Sequence, residues 1–335
     1  MGCSRPAGPG KERDGTRRMF YCQGRGRSLP LSGSAMPSIF KRLYSNPYFV
    51  LPAASLMWAG NSVIGRVAIG EVTPMALTFL RWFFVCCLMA LFYRRPALEA
   101  LPVLRGRWPW LIAMAVLGYT VFNALLYVAA HHTTAVNITM LQASIPVLVL
   151  LGGALLFRAQ VAPLQGLGTV LTLVGVAVVA SGGDIARLAA FQFNIGDVFI
   201  LIACMLYAGY TLGLRWRPPL AGLSLLVWFA AVAMAASIPL LIYEIASGAF
   251  FWPSWKGWLI LVYVTICPSL LSQIFYMRGV ELIGPGRAGL FINLVPVFGA
   301  LMAVAFLREP FGWADAGAAV LVFGGIAVAE AGKRG

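Results

Sequence analysis

Charge is what this sequence has least of. Of its 335 residues only 11% are Asp, Glu, Lys or Arg, against 60% hydrophobic, and the mean hydropathy is +0.84. A water-soluble chain of this size needs far more charge to cover its surface. Acids are the scarcest charges, 11 against 25 basic residues, and histidine occurs twice. The six cysteines (Cys3, Cys22, Cys86, Cys87, Cys204 and Cys267) have no metal-ligand spacing, and the last four lie in apolar stretches, where thiols serve as small apolar filler. No Walker-type glycine loop is present, so ATP hydrolysis by this chain is not expected. Strands of a membrane barrel alternate polar and apolar residues, and stretches such as 147–157 do not alternate. The net charge of +14 sits on no soluble domain, so nucleic-acid binding is a poor reading of it.

What remains is apolar runs. Ten segments are read as spans: 48–68, 73–93, 109–130, 136–157, 163–181, 196–214, 222–243, 257–279, 287–307 and 312–330. Each is near the roughly 20 residues a helix needs to cross about 30 Å of hydrocarbon. Helices satisfy their backbone groups within the segment, as lipid requires. The expected fold is therefore all-α and integral to the membrane. Ten spans put both termini on one side. Outside the leading tail, that side carries 11 basic residues, among them Arg94, Arg95, Arg215, Arg217 and Arg334. The other side carries four: Arg66, Arg187, Lys256 and Arg308. By the positive-inside rule both termini are expected in the cytoplasm, with the chain in the plasma (inner) membrane.

Residues 1–45 form a basic N-terminal tail. Its first 35 residues are rich in Gly, Arg, Pro and Ser and have no periodicity, the composition of a disordered segment. No apolar region follows the basic stretch as a signal peptide requires, and translation starting at Met19 or Met36 is an alternative. The chain then repeats itself. Pro146 matches Pro296, Phe157-Arg158 matches Leu307-Arg308, and Gly175-Val176-Ala177-Val178 matches Gly325-Ile326-Ala327-Val328, all at an offset of 150, with Tyr127 and Tyr276 at 149. The expected halves are 46–183 and 194–331, five spans each. Five is odd, so the halves enter the membrane from opposite sides. Such an inverted repeat is a common plan of secondary transporters.

These residues resemble the EamA-type branch of the drug/metabolite transporter superfamily. The resemblance is carried by W-A-G-N (58–61), L-R-W (80–82), Y-V-A-A (127–130), I-P-V (145–147), V-P-V (295–297) and F-L-R-E-P (306–310), over about 46–331. It implies export or exchange of amino acids and other small metabolites without ATP. It does not carry over a particular solute. Where the family often has Glu in both halves, this chain has Arg158-Ala159 against Arg308-Glu309, so Glu at 159 is not a required coupling residue.

Polar residues inside spans face the bundle interior or a wet cavity. The third span carries a stripe, Tyr119, Asn123, Tyr127 and His131, at i, i+4, i+8 and i+12. The eighth answers with Ser269, Ser272, Gln273 and Tyr276. Trp58, Asn61, Asn137, Gln142, Ser144, Tyr207, Tyr210, Thr211 and Asn293 complete the set. These residues either line a cavity that binds a polar solute or only join helices by hydrogen bonds. Arg81 lies deep within a span, where an isolated charge costs at least about 2.5–3.5 kcal/mol. It is either a structural tie or a contact for an anionic group of the solute. Glu281, Asp197 and Glu330 lie only near span ends. His131 and His132 project about 100° apart on a helix and suit a membrane edge better than a metal. Pro146 and Pro296 are expected to bend their helices around the cavity. The expected partners are a small-molecule solute and lipid, with a proton or ion left open as coupling species and no cofactor or metal. An integral-membrane transferase is the alternative function, and it would need an acid–base or nucleophilic constellation.

Overall fold

A computed structural model describes residues 42–133, 138, 141–158, 160–181, 184, 194–307 and 313–332. The candidate Asn137, the pair Arg308-Glu309 and the tail up to Lys41 lie outside these residues. Every described element is helical. In chain order they are α1 (Pro47–Val67), α2 (Pro74–Glu99), α3 (Leu101–Arg105), α4 (Trp108–Ala115), α5 (Phe122–Ala130), α6 (Ile145–Phe157) and α7 (Pro163–Ser181). Then come α8 (Ile195–Gly213), α9 (Gly222–Ala246), α10 (Trp255–Val264), α11 (Ser272–Ile283), α12 (Pro285–Leu290), α13 (Leu294–Leu307) and α14 (Trp313–Ala331).

Local chemistry sets where helices begin. The Asn46 side chain accepts from the Tyr48 amide at 3.0 Å, and Pro47 follows in the first turn of α1, where its missing N–H has no partner to lose. Asn194 and Asp197 exchange side-chain and backbone bonds in a capping box at the start of α8. Ser254 accepts from Gly257 N at 3.0 Å at the start of α10. Two π-helical segments join helices into longer rods. Val116–Val121 joins α4 to α5, and Thr265–Leu271 joins α10 to α11. They stand at an offset of 149 to 150, the offset of the repeat.

Among the described residues, five helical stretches are long and apolar enough to cross a membrane: Pro74–Glu99, Trp108–Ala130, Ile195–Trp216, Gly222–Ala246 and Trp255–Ile283. Four shorter apolar helical stretches accompany them: Ile145–Phe157, Pro163–Val178, Gly286–Gly299 and Ala316–Ala329. Large apolar side chains are widely exposed, and several polar ones join the mostly apolar core. Leu155 is 81% exposed and Phe92 80%, while Arg81 is 2% exposed and Asn293 0%. Such a surface suits lipid, and it makes this a multi-pass membrane protein.

The packing respects an exchange of the two halves. α5 packs on α8, and α1 on α11; α6 packs on α8, and α1 on α13. α2 pairs with α9 and α7 with α14, each a match across the repeat. Glycine makes the last contact possible. A Cβ on Gly168 would lie 2.3 Å from the Gly325 carbonyl oxygen, and one on Gly325 would lie 2.7 Å from the Gly168 oxygen. Backbones approach this closely in membranes where small residues line the seam.

Charged residues tie the helix ends. Arg66 Nη1 donates to the Ala130 and Thr133 carbonyls at 2.6 and 3.1 Å, covering the C-terminus of α5. Glu244 accepts from Thr73 Oγ1 at 2.5 Å and from the Met75 and Ala76 amides at 3.0 Å, so α9 caps the N-terminus of α2. Glu281 on α11 takes Arg217 at 2.9 Å and Arg278 at 3.0 Å.

Pro146 and Pro296 do not sit in the middle of unbroken helices. Pro146 is in the first turn of α6, behind a turn at Ala143–Ser144, and Pro296 is in the first turn of α13, behind a 3-10 turn at Phe291–Asn293. Proline is accommodated in a first turn because its ring clashes with no preceding helical carbonyl there. The expected bends are therefore interruptions placed just before the prolines.

Candidate functional site

Arg81 organises the interior. Its Nε donates to Ser269 Oγ at 2.7 Å, and its Nη1 donates to Asn123 Oδ1 and to the Tyr127 hydroxyl, both at 2.6 Å. The Tyr127 hydroxyl donates onward to Asn61 Oδ1 at 3.0 Å. Asn123 Nδ2 donates to the Tyr119 carbonyl at 2.5 Å, which fixes its oxygen towards the guanidinium. Ser269 also donates to the Val264 carbonyl, whose α-helical partner four residues on would be Pro268, which has no N–H. Three neutral acceptors thus hold one buried cation. Two of them stand on the helix after the first π-helical segment, and Ser269 lies within the second.

Beside this network lies a small cavity of about 30 Å³, room for about one water molecule. Its wall includes Trp58 and Asn61 from α1, Arg81 from α2, Phe122 and Asn123 from α5, Gln142, Tyr207 from α8 and Gln273 from α11. Both halves contribute. Six of the sequence candidates line it, namely Trp58, Asn61, Asn123, Gln142, Tyr207 and Gln273, and so does Arg81. Trp58 packs against the Tyr276 and Tyr207 rings, with centroids at 5.1 and 6.0 Å. Among the described residues, three polar atoms of the wall are buried without a hydrogen-bond partner: Gln142 Nε2, the Tyr207 hydroxyl and Gln273 Oε1.

The other candidates stand one layer back. Tyr119 and Tyr210 share a hydroxyl–hydroxyl bond of 3.0 Å, and Tyr127 is a tether of Arg81. Tyr276 is within 3.4 Å of Thr211 Oγ1. Ser272 donates to the Pro268 carbonyl, one residue before Arg81's partner Ser269. Asn293 Nδ2 donates to Thr172 at 2.7 Å, joining the 3-10 turn to α7. His131 is exposed at the end of α5, and desolvation, with His132 and Arg66 nearby, holds its imidazole below the usual histidine range.

The stripe expected on the third span therefore runs beside the cavity rather than along it. The lining residues there are Gly118, Phe122 and Leu126, at i, i+4 and i+8, with Asn123 alone from the polar stripe. They share its spacing but are displaced by one residue. The spacing of the polar residues identifies a helix face but not which neighbour that face meets. Ser62, Ile145, Pro268 and Ile292 also line the cavity, and nothing in their residue types marks them in advance.

The profile of the EamA-like transporter family matches this chain twice, over residues 46–181 and 194–330. The chain belongs to that family. Among relatives, an EamA-like chain of this kind is similar to an uncharacterized transporter of Archaeoglobus fulgidus, 25% identical over 269 residues, 79% of this chain and 90% of the relative. It is also similar to the uncharacterized transporter YetK of Bacillus subtilis, 22% identical over 291 residues, 86% of this chain and 87% of the relative. A solved crystal structure, 21% identical, superposes with a TM-score of 0.67 over 85% of this chain and 96% of its own. It shares the fold.

Proposed function

We propose that this EamA-like protein is a secondary-active transporter that exports or exchanges small metabolites, amino acids among them, by alternating access. The observation that carries the reading is the small interior cavity walled by polar and aromatic residues of both halves, with Arg81 at its polar side. In this reading the ten helical rods span the plasma membrane as two five-helix repeats of opposite topology, 46–183 and 194–331, with both termini in the cytoplasm. The exchange symmetry of the packing and the matched π-helical segments support it. Two similar halves can rock against each other and open one site to either side in turn. The names of the relatives point the same way. The cavity candidates then have distinct tasks. Trp58, Phe122 and Tyr207 offer apolar wall, Gln142 and Gln273 offer hydrogen bonds, and Arg81 offers charge.

A transferase would need a nucleophile or an acid–base pair at the cavity. Among the described residues its wall holds no Asp, Glu, His or Cys. The test is an exometabolite comparison of cells expressing and lacking the protein, with toxic solute analogues alongside. Expression should deplete a defined solute class inside and enrich it outside. Identical media in the two strains would refute the transporter reading.

A further inference from the structure

We propose that the cavity takes monovalent organic anions: a carboxylate, or a group of equal single charge, on an apolar body. This rests on the transporter reading above and narrows it, away from zwitterionic amino acids.

The argument starts from donor arithmetic. A guanidinium has five N–H donors. Arg81 uses three of them, one on Nε and two on Nη1, and all three acceptors are neutral. The two donors on Nη2 make no hydrogen bond among the described residues, and Arg81 lines the cavity. No carboxylate pairs with it among those residues, and none stands in the cavity wall. A cation 2% exposed therefore faces an interior space with its tethers neutral and its free edge unfilled. The Nη2 donors can make a charge-assisted hydrogen bond to a carboxylate oxygen.

Charge balance then sorts the solutes. The site's own residues carry one positive charge in a low-dielectric interior. A monoanion brings it to neutrality. A zwitterion leaves the total at plus one and buries an ammonium with no acid to receive it. An amine raises the charge further, and a dianion overshoots. Burying an unpaired charge is the expensive case, so the preference is set by pairing.

The rest of the wall describes the body. Trp58, Phe122, Leu126 and Ile145 offer apolar surface. The three unpartnered polar atoms stand among them: Gln142 Nε2 donates, Gln273 Oε1 accepts, and the Tyr207 hydroxyl does either. All three residues are more than nine-tenths buried. They are independent evidence for a ligand, since buried polar groups are otherwise paired. A solute with an oxygen or a hydroxyl along an apolar frame would satisfy them.

The test uses purified full-length protein in detergent at pH 7 and follows thermal unfolding as ligand is titrated. Two matched sets keep the body and vary the charge: 3-phenylpropanoate, phenylalanine and 2-phenylethylamine; and 4-methylpentanoate, leucine and 3-methylbutylamine. Phenylsuccinate adds a dianion, and chloride an anion without a body. The carboxylates should stabilise the protein with apparent affinity at least about 10-fold above their zwitterionic and cationic mates, 1.4 kcal/mol. Arg81→Gln should remove that preference, and Arg81→Lys should keep its sign with weaker binding. The wild-type panel decides the matter even if neither variant folds. The proposal is overturned if a zwitterion or amine binds as well as its matched carboxylate, if phenylsuccinate outbinds 3-phenylpropanoate, if chloride alone reproduces the effect, or if no carboxylate stabilises. Solute efflux in the exometabolite comparison alongside any of those results would sink the anion assignment alone. Absence of efflux would sink the transporter reading itself.

Discussion

Tyr127 and Tyr276 are mates in the repeat, yet removing their hydroxyls should have unequal effects. The Tyr127 hydroxyl accepts from Arg81 Nη1 at 2.6 Å and donates to Asn61 Oδ1 at 3.0 Å. Tyr127→Phe leaves one guanidinium N–H and one amide oxygen unpaired in a site where Tyr127 is only 2% exposed. A hydrogen bond to a charged group contributes about 1.5–3 kcal/mol, and a neutral one about 0.5–1.5 kcal/mol. Interhelical bonds in membranes average nearer 0.6 kcal/mol, because the unfolded chain in lipid also finds partners. Weighing both, Tyr127→Phe should lower stability by about 1–3 kcal/mol. It should also weaken solute binding, since Arg81 loses one of three tethers. Among the described residues the Tyr276 hydroxyl meets only Thr211 Oγ1, at 3.4 Å, long for an O–H···O bond. Tyr276→Phe should lower stability by about 0.5 kcal/mol or less. Thermal and denaturant unfolding in detergent measure both. A double-mutant cycle of Tyr127→Phe with Asn61→Ala should return a coupling of about 0.5–1.5 kcal/mol. If Tyr276→Phe proves as damaging as Tyr127→Phe, or if the cycle is additive, the reasoning from this network fails.

Glu244→Gln removes the charge that three donors at the start of α2 share, and should lower stability by about 1–2 kcal/mol in the same assay without changing solute affinity. Gly325→Ala puts a Cβ 2.7 Å from the Gly168 oxygen and should force α7 from α14, lowering both the yield of folded protein and its thermal stability. Gly106→Ala, whose Cβ would meet nothing within 4 Å, should match wild type in both measures. A reporter fused after Gly335 should behave as cytoplasmic, and a signal from the opposite side would overturn the topology and the inverted repeat with it.

The helices were legible because lipid imposes a simple rule. Any backbone in hydrocarbon must satisfy itself, so a long apolar run reads as a helix almost regardless of its residues. The run read as 222–243 is α9, Gly222–Ala246, and the run read as 257–279 falls within Trp255–Ile283. What did not show was the way helices are broken. No residue type marks Val116–Val121 as π-helical, since its residues would fit an ordinary helix equally well. The proline in Thr265–Leu271 is a cue for one segment, but not for its mate. Which face of the third span meets the cavity depends on packing against α8 and α9, and that was beyond reach of spacing alone. Hence polar spacing found Asn123 and missed Gly118, Phe122 and Leu126.

Arg81 shows the same limit from another side. Its place in an apolar run made it costly, and cost alone admits two explanations, a structural tie or a contact for solute. The structure combines them in one side chain. Nε and Nη1 are the tie, and the edge bearing Nη2 is left towards the cavity. The tie is also unevenly shared: Asn123 and Tyr127 belong to the same half as Arg81, and Ser269 belongs to the other. If the halves move against each other in transport, the 2.7 Å bond from Nε to Ser269 is one that such motion must stretch or carry along. A charged group seated on the free edge pulls on the same planar guanidinium that this bond holds. In the proposed mechanism, solute and helix movement therefore meet at a single rigid fork, and its rigidity is what a lysine at this position would lack.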